Sequence, residues 1–335
     1  MNARIIKNGS YQDYEAEHLI IAGKNTFKNW KCSAGSEGIY IDWDGNIWPA
    51  TCFTNNLQHK LGSINDNLPI KQLSEYVTCS KNTCFCMAEI YLPKYKDSLD
   101  NLIEGKQDTV SILDFDAVTR ANSFDKNRKS ILWAFGRLCN FDCSYCDDIS
   151  HNKTDPPVSE KSIEKFLEYI TQFRNNTGIN WSFSGGEPTL NKHFLPLVKK
   201  LSSLGDAIAV STNGSQSADY YLELLNYSSI NLSVHFEYLK LNKIKRIIKK
   251  LLDAGPEELP NRLGLNFMVT PGKVQLCIDY LNELKQLPTF DNYITVRVDI
   301  LRIKNSSDYY AYSDKEKEII KRLQQNNWRL AQSVE

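Results

Sequence analysis

Three cysteines at Cys139, Cys143 and Cys146 stand in the spacing C-x3-C-x2-C. Three thiolates that close can hold three corners of a four-iron, four-sulfur cube. The fourth iron then has no protein ligand, and an open iron is a place where chemistry happens. Zinc is the alternative metal. Structural zinc takes four ligands, and no C-x2-C or H-x3-H pair follows nearby. His151 could complete a site of three cysteines and one histidine, and plain burial of the thiols is the third reading.

A second group of cysteines precedes the triplet. Cys32 and Cys52 flank Asp44-Gly45-Asn46, a hairpin signal between apolar alternations, and Cys79, Cys84 and Cys86 follow as C-x4-C-x-C. A hairpin there would bring Cys32 and Cys52 together, and the later cluster can supply the remaining ligands. Cys277 stands alone on a predicted helix and reads as an ordinary buried thiol. Nine cysteines, odd in number and clustered, without an export signal, argue for metal ligation in a reducing, cytoplasmic setting rather than for disulfides.

The elements that position the triplet follow it in regular order. Strand-like runs at 131–135, 180–184, 207–211, 230–235, 263–269 and 293–300 alternate with helical spacing at 159–173, 192–204, 217–225, 239–254, 273–285 and 313–325. Units of about 30 residues are the length of a βα repeat, which implies parallel strands with right-handed crossovers. The strands alternate apolar and polar residues. Val296, Val298 and Ile300 oppose Arg297 and Asp299; Leu232 and Val234 oppose Asn231, Ser233 and His235; Trp181 and Phe183 oppose Ser182 and Ser184. One apolar and one polar face favours an open barrel with a wet lumen over a flat sheet covered on both sides. The expected fold is therefore α/β: a partial (β/α)6 TIM-like barrel over 131–335, a linker at 96–130 with a short strand at Val110–Phe115, and a small cysteine-rich α+β module over 1–95.

The 335 residues carry 40 basic and 40 acidic side chains, so no global charge invites nucleic acid or membrane, and no apolar run would span a bilayer. The helix at 239–254 is rich in lysine, but Leu241, Ile244, Ile248 and Leu251 make it an amphipathic outer helix with a solvated basic face.

Loops after barrel strands carry chemistry. The triplet follows the first strand, Ser184-Gly185-Gly186-Glu187-Pro188-Thr189 the second, and Ser211-Thr212-Asn213-Gly214 the third. In this order the motifs over about residues 131–300 resemble the radical S-adenosylmethionine (SAM) superfamily.

The resemblance implies a cluster held by Cys139, Cys143 and Cys146, with the open iron chelated by SAM. It implies Tyr145 near the adenine, Gly185, Gly186 and Glu187 at the amino group, and Ser211 and Asn213 at the ribose or methionine. Ser233 and His235 would contact ribose or carboxylate, and the backbone at Met268 would flank the adenine. Reductive cleavage of SAM would yield a 5′-deoxyadenosyl radical that abstracts hydrogen from a small polar molecule or peptide side chain. A flavodoxin- or ferredoxin-type donor would supply the electron. Arg297, Asp299 and Arg302 would orient a charged substrate, or else form lumen salt bridges.

The N-terminal module resembles the auxiliary-cluster extension called twitch or SPASM, with Cys32, Cys52, Cys79, Cys84 and Cys86 as ligand candidates. It departs from that pattern in its C-x12-G-x6-C interval, two residues longer after the glycine, and in preceding the barrel. Five cysteines suffice for one auxiliary [4Fe-4S] cluster; a zinc ribbon is the alternative. The competing class for the whole chain is a non-catalytic iron–sulfur or zinc-binding scaffold.

Overall fold

A computed structural model describes residues 2–331 apart from 16–18, 20–22, 55, 67–70, 85–88, 103–104, 109–110, 112–113, 121–127, 150, 175–177, 239–240, 256–258, 260, 302 and 307–309. Cys86, Val110 and Arg302 lie outside the described residues, as does the side chain of Asp299. The chain divides into two compact units, one of Met1–Ala134 with Ser159–Ser182, the other of Phe135–Val158 with Phe183–Glu335.

The first unit contains β1 (Asn2–Lys7), β2 (Ser10–Glu15), β3 (Lys31–Cys32), β4 (Gly38–Ile41), β5 (Asn46–Trp48) and β6 (Gly62–Ser63). It continues with β7 (Val77–Thr78), β8 (Lys94–Tyr95), β9 (Lys106–Gln107), β10 (Ala117–Arg120) and β11 (Lys129–Ala134). Seven of these form a mixed sheet in the order β7-β3-β8-β10-β1-β2-β9. The stretch read as a linker thus contributes two strands, which is a correction to that expectation. The cause is burial: Ile5 pairs with Val118, and both side chains are fully enclosed with Ala3, Phe27 and Ile90.

In the same unit β11 runs parallel to β4, with Ser130 opposite Gly38 and Trp133 opposite Ile41. The expected hairpin is present as β4 and β5, Tyr40 opposite Trp48. Gly45 turns it at φ +80°, where a side chain would be strained. Asp42 fixes the turn by accepting from the backbone of Asp44 and Asn46 and from Trp48 Nε1 at 2.8 Å. Helix α1 (Glu160–Phe173) starts where Ser159 accepts from the Ser162 amide. Its Phe166 meets Trp133 edge-on at 5.0 Å and Trp181 at 6.2 Å. Trp181 lies on β12 (Ile179–Ser184), whose last two residues belong to the second unit.

In that second unit β13 (Ala207–Thr212), β14 (Ser229–His235), β15 (Leu263–Val269) and β16 (Ile294–Ile300) are parallel neighbours in sequence order. Helices α2 (Phe194–Ser203), α3 (Ala218–Leu225), α4 (Leu241–Asp253), α5 (Val274–Leu284) and α6 (Asp314–Ala331) alternate with them. The alternation expected of the strands is there: on β15, Leu263, Leu265, Phe267 and Val269 are buried while Gly264, Asn266 and Met268 are only partly so. A single helical turn at Phe290–Tyr293 precedes β16. The basic face of α4 is tied to solvent-side carboxylates, Lys245 to Glu283, Lys249 to Asp253 and Lys250 to Asp219. The architecture is α/β with mixed sheets.

Candidate active site

The cysteine loop leaves the end of β11 beside the turn that leaves β12. Phe135 N–H donates to Ser184 O at 2.7 Å, Gly186 N–H to Gly136 O at 3.0 Å and Glu187 N–H to Leu138 O at 2.7 Å. Gly186 has no alternative there: a Cβ would lie 2.4 Å from Leu138 O and 2.6 Å from Arg137 C, both backbone atoms. The loop closes on itself through Cys139 N–H to Asn152 O at 3.0 Å and Cys146 N–H to Cys143 O at 3.1 Å.

One cavity of about 340 Å3 gathers the three thiols with Tyr145, Gly185, Gly186, Ser211, Asn213, Ser233, His235 and Met268. Ten of these eleven come from loops or strand ends, as a (β/α) scaffold arranges its chemistry; Ser233 lies one pleat deeper in β14. Glu187 is placed differently from the expectation. Its carboxylate is 2% exposed and lies behind the wall. It accepts from Thr189 N–H and Oγ1, from Thr212 Oγ1 at 2.7 Å and from the Asn213 amide. Burial pushes this carboxyl above the usual range, while the four hydrogen bonds pull it back. Its task is to tie the glycine turn to the asparagine turn.

His235 lies against the second thiol. Its Nδ1 is 3.4 Å from Cys143 Sγ and 2.6 Å from Tyr145 Oη, and the Tyr145 and His235 rings are parallel. Burial lowers its pKa to about 4, so the ring is neutral near pH 7. Burial also raises the Cys139 thiol and pushes Cys143 up to about 12. Asn213 Nδ2 sits 3.8 Å from Cys139 Sγ and donates to Asn140 Oδ1 at 2.8 Å. His151 is not poised as a fourth ligand. Its Nδ1 faces Asp147 O and its Nε2 faces Asp142 Oδ1, each at 3.1 Å.

Several residues here carried no sequence signal. Glu237 accepts both the amide at 2.7 Å and the hydroxyl of Ser144, between the second and third cysteines. Tyr238 donates to Asp142 O at 2.6 Å and stacks on Phe141 at 5.5 Å. They follow His235 on the strand exit, which is their only trace in the sequence.

In the first unit, Cys32, Cys52, Cys79 and Cys84 line one cavity of about 300 Å3 together with Glu89 and Lys94. Cys32 lies on β3 between β7 and β8, and Cys52 lies on a short helical turn after the hairpin. Among the described residues, no three His, Cys, Asp or Glu side chains converge on one point as a single metal ion needs. A cluster spreads its cysteine sulfurs over the corners of a cube, wider than a zinc shell. Three thiols, short polar groups and a side-chain-free glycine turn around the barrel-side cavity fit a three-ligand cluster with a polar organic molecule beside it.

Comparison with known proteins agrees. Residues 133–272 match the Radical SAM superfamily. The chain is 25% identical over 150 residues to the 7-carboxy-7-deazaguanine synthase of Clostridium acetobutylicum, covering 44% of this chain and 59% of that protein. It is likewise 25% identical over 150 residues to the GTP 3′,8-cyclase of Agrobacterium fabrum, covering 40% and 42%. Among solved structures, Streptococcus suis SuiB bound to S-adenosylmethionine aligns with TM-score 0.41 and 15% identity, covering 61% of this chain and 48% of that one. The matched segment is thus about half the length of these relatives. Among the described residues, no helix is long and apolar enough to cross a membrane. Residues 133–272 thus match a radical SAM domain, and such a domain implies a [4Fe-4S] cluster and SAM.

Proposed function

We propose that this enzyme abstracts hydrogen from a small polar molecule or a peptide side chain, and that its residues 1–95 form a twitch/SPASM-like module with an auxiliary [4Fe-4S] cluster. The observation that carries the first part is the cavity joining three thiols to the glycine and asparagine turns. The two relatives named above bear the names of a cyclase of GTP and a synthase of a carboxy-deazaguanine, both small polar molecules, which favours that substrate class. The four-thiol cavity of the first unit supports the second part.

When bound, SAM and the reduced cluster supply a 5′-deoxyadenosyl radical, the hard step of the chemistry. The chain supplies the rest. Cys139, Cys143 and Cys146 would hold the cluster as thiolates, and because burial raises Cys139 and Cys143, loading releases their protons. The Asn213 amide beside Cys139 Sγ orients that ligand and damps its charge. Gly185 and Gly186 offer bare backbone to the amino group. Ser211, Asn213, Ser233 and His235 offer polar atoms to ribose and carboxylate, while Tyr145 and Met268 flank the adenine. Arg297, Asp299 and Arg302 orient a charged substrate, and a flavodoxin- or ferredoxin-type protein delivers the electron.

The test is anaerobic reconstitution, reduction with dithionite and addition of SAM. The expected product is 5′-deoxyadenosine. If cluster and SAM are both bound and none forms, the chain is a binding scaffold instead.

A further inference from the structure

Two buried charged side chains line the four-thiol cavity of the first unit, Glu89 and Lys94, beside the exposed Lys81. They are 7% and 2% exposed. Burying charge is costly unless it is paired and hydrogen-bonded, so both are held there by specific contacts. Lys94 Nζ lies 2.7 Å from Glu89 O, 3.0 Å from Ile90 O and 3.0 Å from Leu92 O. Carbonyls only accept, so three of them need three N–H donors, and the group is an ammonium. With its donors spent on backbone, it neither ligates a metal nor bonds a sulfur. It acts on the cavity through its charge. Cys32 is its direct partner across the β3–β8 pair.

Glu89 presents the opposite charge on another side. Its Oε1 accepts the Thr51 amide at 2.8 Å and its Oε2 the Thr51 hydroxyl at 2.6 Å, next in the chain to Cys52.

We propose that Lys94 and Glu89 are built-in electrostatic controls on a cluster held by Cys32, Cys52, Cys79 and Cys84, Lys94 favouring its reduced form and Glu89 its oxidised form. This rests on the auxiliary-cluster reading above. Reduction adds one electron to the [4Fe-4S]2+ core, giving [4Fe-4S]1+ with no bond made and no proton moved. The site becomes one charge more negative, which a fixed cation stabilises and a fixed anion opposes.

The experiment uses the full-length chain with Cys139, Cys143 and Cys146 changed to Ala, so that only the N-terminal cysteines can hold iron. The protein is reconstituted anaerobically and titrated with dithionite through redox mediators, with electron paramagnetic resonance as the readout. Lys94→Met is expected to make reduction at least about tenfold less favourable, a midpoint lower by about 59 mV. Lys94→Arg restores the parent midpoint. Glu89→Gln, nearly isosteric, moves it upward. Lys94→Met also strips three carbonyls of their donors, so if that variant loses its cluster, Glu89→Gln decides alone. An unmoved midpoint in Lys94→Met, or an unmoved or lowered one in Glu89→Gln, overturns the charge control and leaves the cluster reading standing. A parent variant that is folded, iron-free and zinc-loaded overturns both.

Discussion

Glu187 holds two turns together from behind the cavity, and its chemistry makes it irreplaceable by its own amide. Every atom that meets its carboxylate is a donor: two backbone amides and two hydroxyls. In Glu187→Gln one oxygen becomes an NH2 group, so a donor faces donors. A buried group left unsatisfied costs about 1–3 kcal/mol. The expected outcome is a lower melting temperature and weaker SAM binding by calorimetry, with iron content near that of the parent because no thiol is touched. A variant with parental stability and affinity would show that the turns do not depend on this carboxylate. The sequence disclosed the motif but not which way its acid points. Alternation assigns a side chain to a face only within a strand, and Glu187 stands beyond the end of one.

The cysteine loop is anchored to other elements by side chains rather than by regular pairing. Glu237 grips Ser144, Tyr238 grips Asp142 O, and Asn213 grips Asn140. Glu237→Gln weakens a charge-assisted contact on the residue between Cys143 and Cys146. We expect the circular dichroism spectrum to be unchanged and cluster loss under mild chelation to be about tenfold faster, the low end of the effects seen when outer-shell partners of metal ligands are removed. Equal loss rates in variant and parent would leave the loop's position to its own turns. The strands and helices around this loop were legible because each is long enough to show its period. Leu263–Val269 alternates cleanly, and α4 repeats its isoleucines and leucines on one face. The seven-stranded sheet was not legible for the converse reason. Four of its members, β3, β7, β8 and β9, are two residues long, and two residues carry no period. Its strand β10 is only Ala117–Arg120, and the polar residues around it read as a linker until Val118 is seen against Ile5.

Every group placed around the three-thiol cavity belongs to the second unit, and every group around the four-thiol cavity to the first. No lining residue is shared. Sites without shared partners respond independently to substitution, usually within a few tenths of a kcal/mol, or about twofold in a rate. Replacing Cys32 and Cys79 by Ser in the full chain should therefore empty the N-terminal site while leaving dithionite-driven formation of 5′-deoxyadenosine within about twofold of the parent. Substitution of the Cys139, Cys143 and Cys146 triplet should abolish it. The two variants thereby separate cleavage of SAM from whatever the N-terminal cysteines contribute to the substrate's fate. If SAM cleavage were lost in the Cys32 and Cys79 variant while the triplet still held its iron, the N-terminal site would be part of the cleavage machinery, and the division of labour argued from the two cavities would fall.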